Sequence, residues 1–310
     1  MKKIGVFIIT ALFFWQVFAC TVFWINRDGL SFGAANEDGA ETRMLIISEP
    51  PNNGNNGYVL IEYTTEGVGV QLGVNEKGLF FDGLAAPAVA VEPDPERPQG
   101  SWQKLMVDIL EQFESADDAL AYKASFDTSF AGQEAGFMIF GDRLGRAGVV
   151  EPDGKIITNG EKDFFVAANF YLSDPDIEGS GGFDHYNTAE WWINDIEELN
   201  VQSVRDILRA VKQGITRISV VYDLDNAVLY IYSERNYDEV AVFDMKEWFK
   251  KGFQIVYADE LEYVSHDELF ADEMDEDVED NDVINSDEPC EQNEETHCSG
   301  GNSGCTITLM

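Results

Sequence analysis

The chain has little positive charge, little histidine and little cysteine. Its 310 residues include 20 Lys and Arg against 58 Asp and Glu, with three His and four Cys. Lys and Arg bind phosphate backbones, so a formal net charge of −38 argues against nucleic acid as a partner. The shortage of His and Cys leaves little material for a metal centre, and we expect neither a metal nor a cofactor.

Apolar residues, in contrast, are plentiful. They make up 45% of the chain, with 21 Phe and 6 Trp, which is enough for a large core. Short apolar runs typical of strands cover 21–26, 30–35, 44–48, 58–63, 68–72, 79–84, 137–140, 147–150, 164–169, 218–222 and 227–232. Helical spacing of apolar residues covers 102–113, 119–126, 186–196 and 204–211. Helices segregated from strands predict one α+β domain, 20–257, with antiparallel sheets.

The first 19 residues resemble an export signal. Two lysines precede an uncharged apolar stretch, 4–19, which is short for a membrane span. Val17 and Ala19 suit the positions before a signal-peptidase cut, so 1–19 is predicted to be a signal peptide and Cys20 the first mature residue. We therefore expect a periplasmic or secreted protein without a stable membrane span after cleavage. The alternatives are an uncleaved anchor, a buried first strand, or a lipoprotein, which bulky Phe18 disfavours.

The other end of the chain is strongly acidic. Between Asp259 and Glu295 there are 18 acids and no Lys or Arg. Such a segment repels itself and buries little apolar surface, so 258–310 is predicted to be a disordered acidic tail. Its role is either to solubilise the protein or to dock it to a surface. It holds Cys290, Cys298 and Cys305, and we expect a disulfide between two of them, with the pairing left open.

A cysteine at a mature N-terminus can act as a nucleophile without histidine. Its α-amino group has an ordinary pKa of roughly 7.7–8.0, so the free amine can remove the thiol proton at neutral pH. A neighbouring carboxylate can position that amine, and the thiolate can then attack an amide carbonyl. Cys20 is thus the first candidate for catalysis.

Three segments carry a family resemblance. They are CTVF at 20–23 with DG at 28–29 and FGAANED at 32–38, GVNEKGLFFDGL at 73–84, and VAANFY at 166–171 with YNTAE at 186–190. Together they resemble the choloylglycine hydrolase and penicillin V acylase group of N-terminal-nucleophile (Ntn) hydrolases, which cleave linear amides. The resemblance covers Cys20 to Phe243.

This resemblance implies a fold and four site residues. The fold is an αββα sandwich of two antiparallel sheets between helix layers. Cys20 matches the nucleophile, and Asp38 matches the aspartate that orients its amine. Asn169 matches the asparagine that donates to the oxyanion, and the backbone N–H of Ala85 is the second donor. Each donor is worth roughly 2.7–4 kcal/mol if it points at the developing charge.

The sequence also departs from the family. Ala35 stands where an arginine often precedes the Asn of the Arg-Asn-x-Asp motif, and some members have Asn where Ala85 stands. A later arginine near the nucleophile has three candidates here: Arg205, Arg209 and Arg217. A net acidic body without these arginines is not expected to favour anionic conjugates such as bile salts.

Two classes of function remain open from the sequence. The first is an exported amidase that hydrolyses a small-molecule N-acyl amide through a thioester at Cys20, with acyl transfer to another amine as a variant. The second is a non-catalytic lipoprotein or binding module with Cys20 lipidated. A homo-oligomer is left open.

Overall fold

The computed structural model describes residues 20–39, 43–64, 69–87, 94–128, 136–177 and 179–271. The predicted signal peptide, 1–19, lies outside the described residues, as do the three tail cysteines. Within the described part of the chain, no helix has the length and apolar character needed to cross a membrane.

The described residues form fifteen strands, six helices and one 3₁₀ turn. The strands are β1 (Thr21–Arg27), β2 (Leu30–Asp38), β3 (Met44–Glu49), β4 (Tyr58–Tyr63), β5 (Gly69–Asn75), β6 (Leu79–Ala85), β7 (Gly136–Asp142), β8 (Ala147–Val150), β9 (Ile156–Thr158), β10 (Phe164–Ala168), β11 (Thr216–Asp223), β12 (Val228–Ser233), β13 (Glu239–Asp244), β14 (Gln254–Tyr257) and β15 (Val264–Ser265). The helices are α1 (Trp102–Gln112), α2 (Ala116–Ala124), α3 (Phe183–Asp195), α4 (Val201–Val211), α5 (Met245–Phe249) and α6 (His266–Leu269), and the 3₁₀ turn is Ala258–Glu260.

The strands form two antiparallel sheets. Seven strands lie in the order β10-β1-β2-β11-β12-β13-β15, and eight lie in the order β14-β3-β4-β5-β6-β7-β8-β9. Neighbours along the chain pair mostly through hairpins, as for β1 and β2, where Asp28 and Gly29 both have positive φ. A two-residue loop of this kind matches the twist of the strands it joins.

Three apolar cores hold the two sheets and the two pairs of helices together. The core between the two sheets contains Val22 and Trp24 of β1 and Phe80 of β6. A second core joins α3 and α4 to the outer face of the seven-stranded sheet, and a third joins α1 and α2 to the outer face of the eight-stranded sheet. Each large side chain fully buried in this way contributes about 1.5–3 kcal/mol. The predicted αββα sandwich is confirmed.

The sheets approach each other closely around Phe80. A Cβ atom at Gly33 of β2 would lie 2.7 Å from the Phe80 ring, and one at Gly141 of β7 would lie 2.4 Å from it. The absence of a Cβ atom at both glycines therefore leaves room for the Phe80 ring. Trp24 is fixed in the same region, because its Nε1 donates to the Asp142 carbonyl at 2.8 Å.

The packed body extends beyond the boundary expected at residue 257. Strand β14 pairs with β3, β15 pairs with β13, and the compact unit ends at Phe270. His266 and Phe270 are 1% and 7% exposed, and Phe270 belongs to the core beneath α4. The prediction that disorder begins at 258 was therefore wrong for 258–270, because a few apolar side chains anchor this acidic segment. Residues 272–310 of the predicted tail lie outside the described residues.

Candidate active site

Strand register brings the candidate residues to one end of the seven-stranded sheet. Strand β1 lies between β10 and β2, with Thr21 opposite Ala168 on one side and Asn36 on the other. One residue beyond these pairs are Cys20 and Asn169, and β2 ends nearby at Asp38. Three segments that are far apart in sequence therefore end together.

The Cys20 thiol faces the core between the sheets. Cys20 is 8% exposed, and its Sγ lies 3.4 Å from the Asp38 backbone nitrogen and 3.8 Å from the Asp38 carbonyl oxygen. Burial is the largest cause that raises the pKa of this thiol, and the negative charges of Glu37, Asp38 and Asp82 raise it further. The thiol therefore needs a base to become a nucleophile.

Asp38 is held by two side chains that sequence reasoning missed. The Thr216 hydroxyl donates to one carboxylate oxygen of Asp38, and the Gln213 amide donates to the other. Burial raises the pKa of Asp38 to about 7, although both hydrogen bonds act in the opposite direction. Both partners come from the start of β11 and the segment before it, and Thr216 pairs with Asp38 in the sheet. Spacing in the sequence does not show that Thr216 and Gln213 lie beside Asp38, because only the strand register brings them together.

A buried hydrogen-bond network holds β2 on the side of the sheet that faces α4. The Asn36 side chain donates to the Leu208 carbonyl at 2.9 Å and accepts from the Ser219 hydroxyl at 2.6 Å. The Tyr237 hydroxyl lies within 2.8 Å of the same Ser219 oxygen. This buried network ties β2 to β11 and α4, so it fixes the strand that carries Asp38.

Asn169 and Ala85 are in direct contact. The Asn169 amide nitrogen donates to the Ala85 carbonyl at 2.7 Å, while its side-chain oxygen is buried and has no hydrogen-bond partner. A primary amide carries two N–H groups, so this bond leaves one donor for a ligand. Ala85 is the last residue of β6 and pairs with Gly136. The structure therefore brings together the two residues expected to form the oxyanion site.

The arginine candidates are separated by their contacts. Arg205 pairs with Asp206 and lies 2.7 Å from the His266 ring, and Arg209 pairs with Asp238. The Arg217 side chain donates to the Gly39 carbonyl at 3.4 Å, immediately after Asp38. Arg217 is thus the candidate whose guanidinium group contacts the segment after Asp38, and it also pairs with Glu234.

Two buried acids near Cys20 were also missed. Glu37 and Asp82 are 1% and 0% exposed, on β2 and β6. They interrupt apolar strands at positions that face the space between the sheets, two residues from Ala35 and Phe80 respectively. A charged residue at an inward-facing position of a strand was the available signal. No group of three or more metal-ligating side chains occurs among the residues described.

The arrangement is suited to thiol chemistry. It combines a buried thiol, a fixed carboxylate beside the nucleophile and an amide donor on the neighbouring strand. A nucleophile, a group that can orient a base and an oxyanion donor are the parts required for acyl transfer.

The matches of this chain to known proteins are matches to solved structures. A scan against protein-family models finds none, and a search of curated proteins finds none. Among solved structures, the penicillin V acylase from Agrobacterium tumefaciens is 18% identical with a TM-score of 0.56, over 77% of this chain and 91% of that chain. Two variants of the conjugated bile acid hydrolase from Clostridium perfringens are 15% identical with TM-scores of 0.56 and 0.57, each over 77% of this chain and 96% of the other.

At these identities the likeness establishes a common architecture. The order of sheets and helix layers described above agrees with it. The chain therefore has the αββα fold of the Ntn hydrolases, which it shares with penicillin V acylase and conjugated bile acid hydrolase.

Proposed function

We propose that this protein is an exported amidase that cleaves the linear amide of an N-acyl compound through a thioester at Cys20. The observation that carries the proposal is the placement of the Cys20 thiol 3.4 Å from the Asp38 backbone nitrogen, beside a carboxylate held by Thr216 and Gln213. These two hydrogen bonds fix the Asp38 carboxylate, as a residue that orients the amine requires. The shared fold with amide hydrolases supports the same chemistry.

The proposed reaction begins after removal of residues 1–19. The free α-amine of Cys20, oriented by Asp38, takes the thiol proton, and sulfur attacks the amide carbonyl carbon. The C–N bond then breaks, the leaving amine takes that proton, and the acyl group remains on sulfur as a thioester. Water attacks the thioester, passes a proton to the α-amine and releases the acid, after which the thiol is restored.

Burial of Cys20 supports catalysis over lipid attachment. Its Sγ points into the core between the sheets, and the residue is 8% exposed. A diacylglycerol group on that sulfur would have to displace packed side chains, which is costly in an interior of normal density.

The proposal is tested by capture of the acyl-enzyme. The chain that starts at Cys20 is mixed with chromogenic N-acyl amides of different acyl length. The reaction is quenched in acid, and the mass of the intact protein is measured by mass spectrometry. We expect the mass to increase by the acyl group, and peptide mapping to place that group on Cys20. Addition of a second amine separates hydrolysis from acyl transfer. Amide cleavage without acylated Cys20 would contradict the mechanism, and no cleavage across the panel would contradict the activity.

Asn169→Ala is expected to lower turnover by roughly 10²–10³, with little change in substrate affinity, because one oxyanion donor is lost. Asn159→Ala is the matched control, since Asn159 is also buried but its amide donates to the Lys162 carbonyl. Steady-state kinetics on a chromogenic N-acyl amide gives both constants. If only the Michaelis constant rises, Asn169 binds substrate and does not stabilise the oxyanion.

A further inference from the structure

The indole of Trp102 lies across the ends of three strands of the eight-stranded sheet. Trp102 is the first residue of α1, and its Nε1 donates to the Val70 carbonyl near the start of β5 at 2.9 Å. A Cβ atom at Gly83 of β6 would lie 2.5 Å from the indole Cζ2, and one at Gly136 of β7 would lie 3.2 Å from its Cη2. The indole therefore fits against β6 and β7 because both positions are glycine.

The pairing of β6 with its two neighbouring strands is unequal. Among the described residues, the register between β5 and β6 covers 72–74 and 80–82, whereas β7 pairs with β6 along its whole length. The last three residues of β6, 83–85, thus have strand partners on β7 alone. Trp102 lies where β5 and β6 separate, since its N–H binds β5 and its ring packs on Gly83 of β6.

This end of β6 carries one of the residues expected at the oxyanion site. Ala85 is the last residue of the strand, two positions after Gly83, and its carbonyl accepts from the Asn169 amide at 2.7 Å. Asn169 directly follows β10 of the other sheet, so the separation of the two expected donors depends on where β6 ends. Groups that act on a transition state must be held within about 0.5 Å of their productive positions. Whatever fixes the end of β6 therefore affects the oxyanion site.

We propose that Trp102 is a positioning residue for the oxyanion site, which holds the end of β6 where β5 no longer pairs with it. The inference rests on the proposed function, because it takes the Ala85 N–H and the Asn169 amide as the oxyanion donors. The indole takes the place of the missing strand pairing, with one hydrogen bond to β5 and ring contacts with Gly83 and Gly136. A smaller ring at Trp102 leaves the end of β6 free to shift, and a methyl group at Gly83 pushes it away from the indole. Neither change removes a proposed donor.

Gly83→Ala and Trp102→Phe are tested separately and together in the chain that starts at Cys20. A Cβ atom at Gly83 would lie 2.5 Å from Cζ2 and 3.1 Å from Cη2 of the indole, and a phenyl ring lacks both atoms. We expect Gly83→Ala to lower kcat on a chromogenic N-acyl amide by roughly 10–10²-fold with little change in KM, because misplacing a donor costs less than losing it. Trp102→Phe lowers kcat less severely, through loss of the bond to Val70. The double variant has the kcat of Trp102→Phe alone, so the phenyl ring rescues Gly83→Ala.

Two matched controls separate positioning from a general loss of packing. Gly148→Ala adds a methyl group at another strand glycine of the same sheet, where the Cβ atom would lie 2.9 Å from Leu120 Cδ1 of α2. Trp248→Phe shortens another partly buried tryptophan, which stacks on Phe243. We expect both controls to lower the melting temperature and to leave kcat and KM unchanged. The melting temperature of every variant is recorded, so that rates are compared among folded samples.

A measurement without substrate tests the same displacement. The side-chain amide of Asn169 gives an NMR signal, which is identified by its loss in Asn169→Ala. Because this amide donates to the Ala85 carbonyl, its chemical shift reports the position of the end of β6. We expect the signal to move in Trp102→Phe and to stay in place in Trp248→Phe. Trp102→Phe introduces no overlap, so it provides the test even if Gly83→Ala does not fold.

Four results overturn the inference: an Asn169 signal that Trp102→Phe leaves in place, an unchanged kcat in folded Gly83→Ala, a rise in KM alone, or a loss from Gly83→Ala that is equally large beside Trp102→Phe. Failure to hydrolyse any N-acyl amide would instead contradict the proposed function. The NMR measurement then decides by itself whether Trp102 positions the end of β6 against Asn169.

Discussion

Cys20→Ala is expected to abolish hydrolysis of every N-acyl amide that the unaltered chain cleaves. Cys20 is the only free cysteine among the described residues, and its neighbour Thr21 points to the opposite face of β1. The other hydroxyl beside Asp38, that of Thr216, is buried and donates its proton to the carboxylate, so we expect no acyl-enzyme to form there. Cys20→Ser should retain a trace of activity, because the amine remains but a hydroxyl is a weaker nucleophile than a thiol.

These two variants are compared by release of chromophore and by intact mass after an acid quench. The melting temperature of each variant is the control for folding, since replacing a thiol by a methyl or hydroxyl changes little volume. Full turnover by a folded Cys20→Ala chain would show that another residue carries the reaction. Acylation of the Cys20→Ala chain at a second site would identify that residue.

A single additional residue before Cys20 is expected to have an equally large effect on rate. It converts the α-amine into an amide, which has no basic lone pair, and leaves the buried thiol with its raised pKa and without a base. We expect hydrolysis to fall to the uncatalysed rate while the protein still folds, and protease removal of the added residue to restore it.

The appropriate comparison is one preparation measured before and after that cleavage. Circular dichroism on both samples confirms that the fold is unchanged. Equal rates before and after cleavage would exclude the α-amine as base, whatever the result for Cys20→Ala. Loss of activity in Cys20→Ala with full activity in the extended chain would indicate a cysteine enzyme that uses a different base.

Local sequence signals predicted most of the fold. The apolar runs at 21–26 and 30–35 form β1 and β2, and the apolar stripe expected over 102–113 forms α1. Each depends on residues within one or two turns of one another. The segment after 257 was misjudged because composition reports its average charge and hides the few anchoring side chains, such as Phe270.

The sequence predicted only those site residues that the family resemblance assigned together. The structure places Cys20, Asp38, Asn169 and Ala85 at one end of the sandwich, and their roles remain predictions. Gln213 and Thr216 carry no local signal, because their importance comes from contact with Asp38 across a long stretch of chain. Glu37 and Asp82 did carry one, since each is an acid on the inward face of an apolar strand.

The central position of β1 and β2 has a consequence for folding kinetics. The Ser219–Asn36 hydrogen bond joins residues 183 positions apart, and β1 receives its other neighbour, β10, only from residues 164–168. Contacts of such long sequence separation form slowly, because a large loop must close before any of them is gained. Strand β1, which directly follows Cys20, therefore completes its pairing only after β10 has joined it, and we expect the thiol to stay accessible to oxidants and to other thiols until then. We expect refolding to be slow and its yield to depend on reductant, and the end of the chain that is made first to be among the last to reach its final environment.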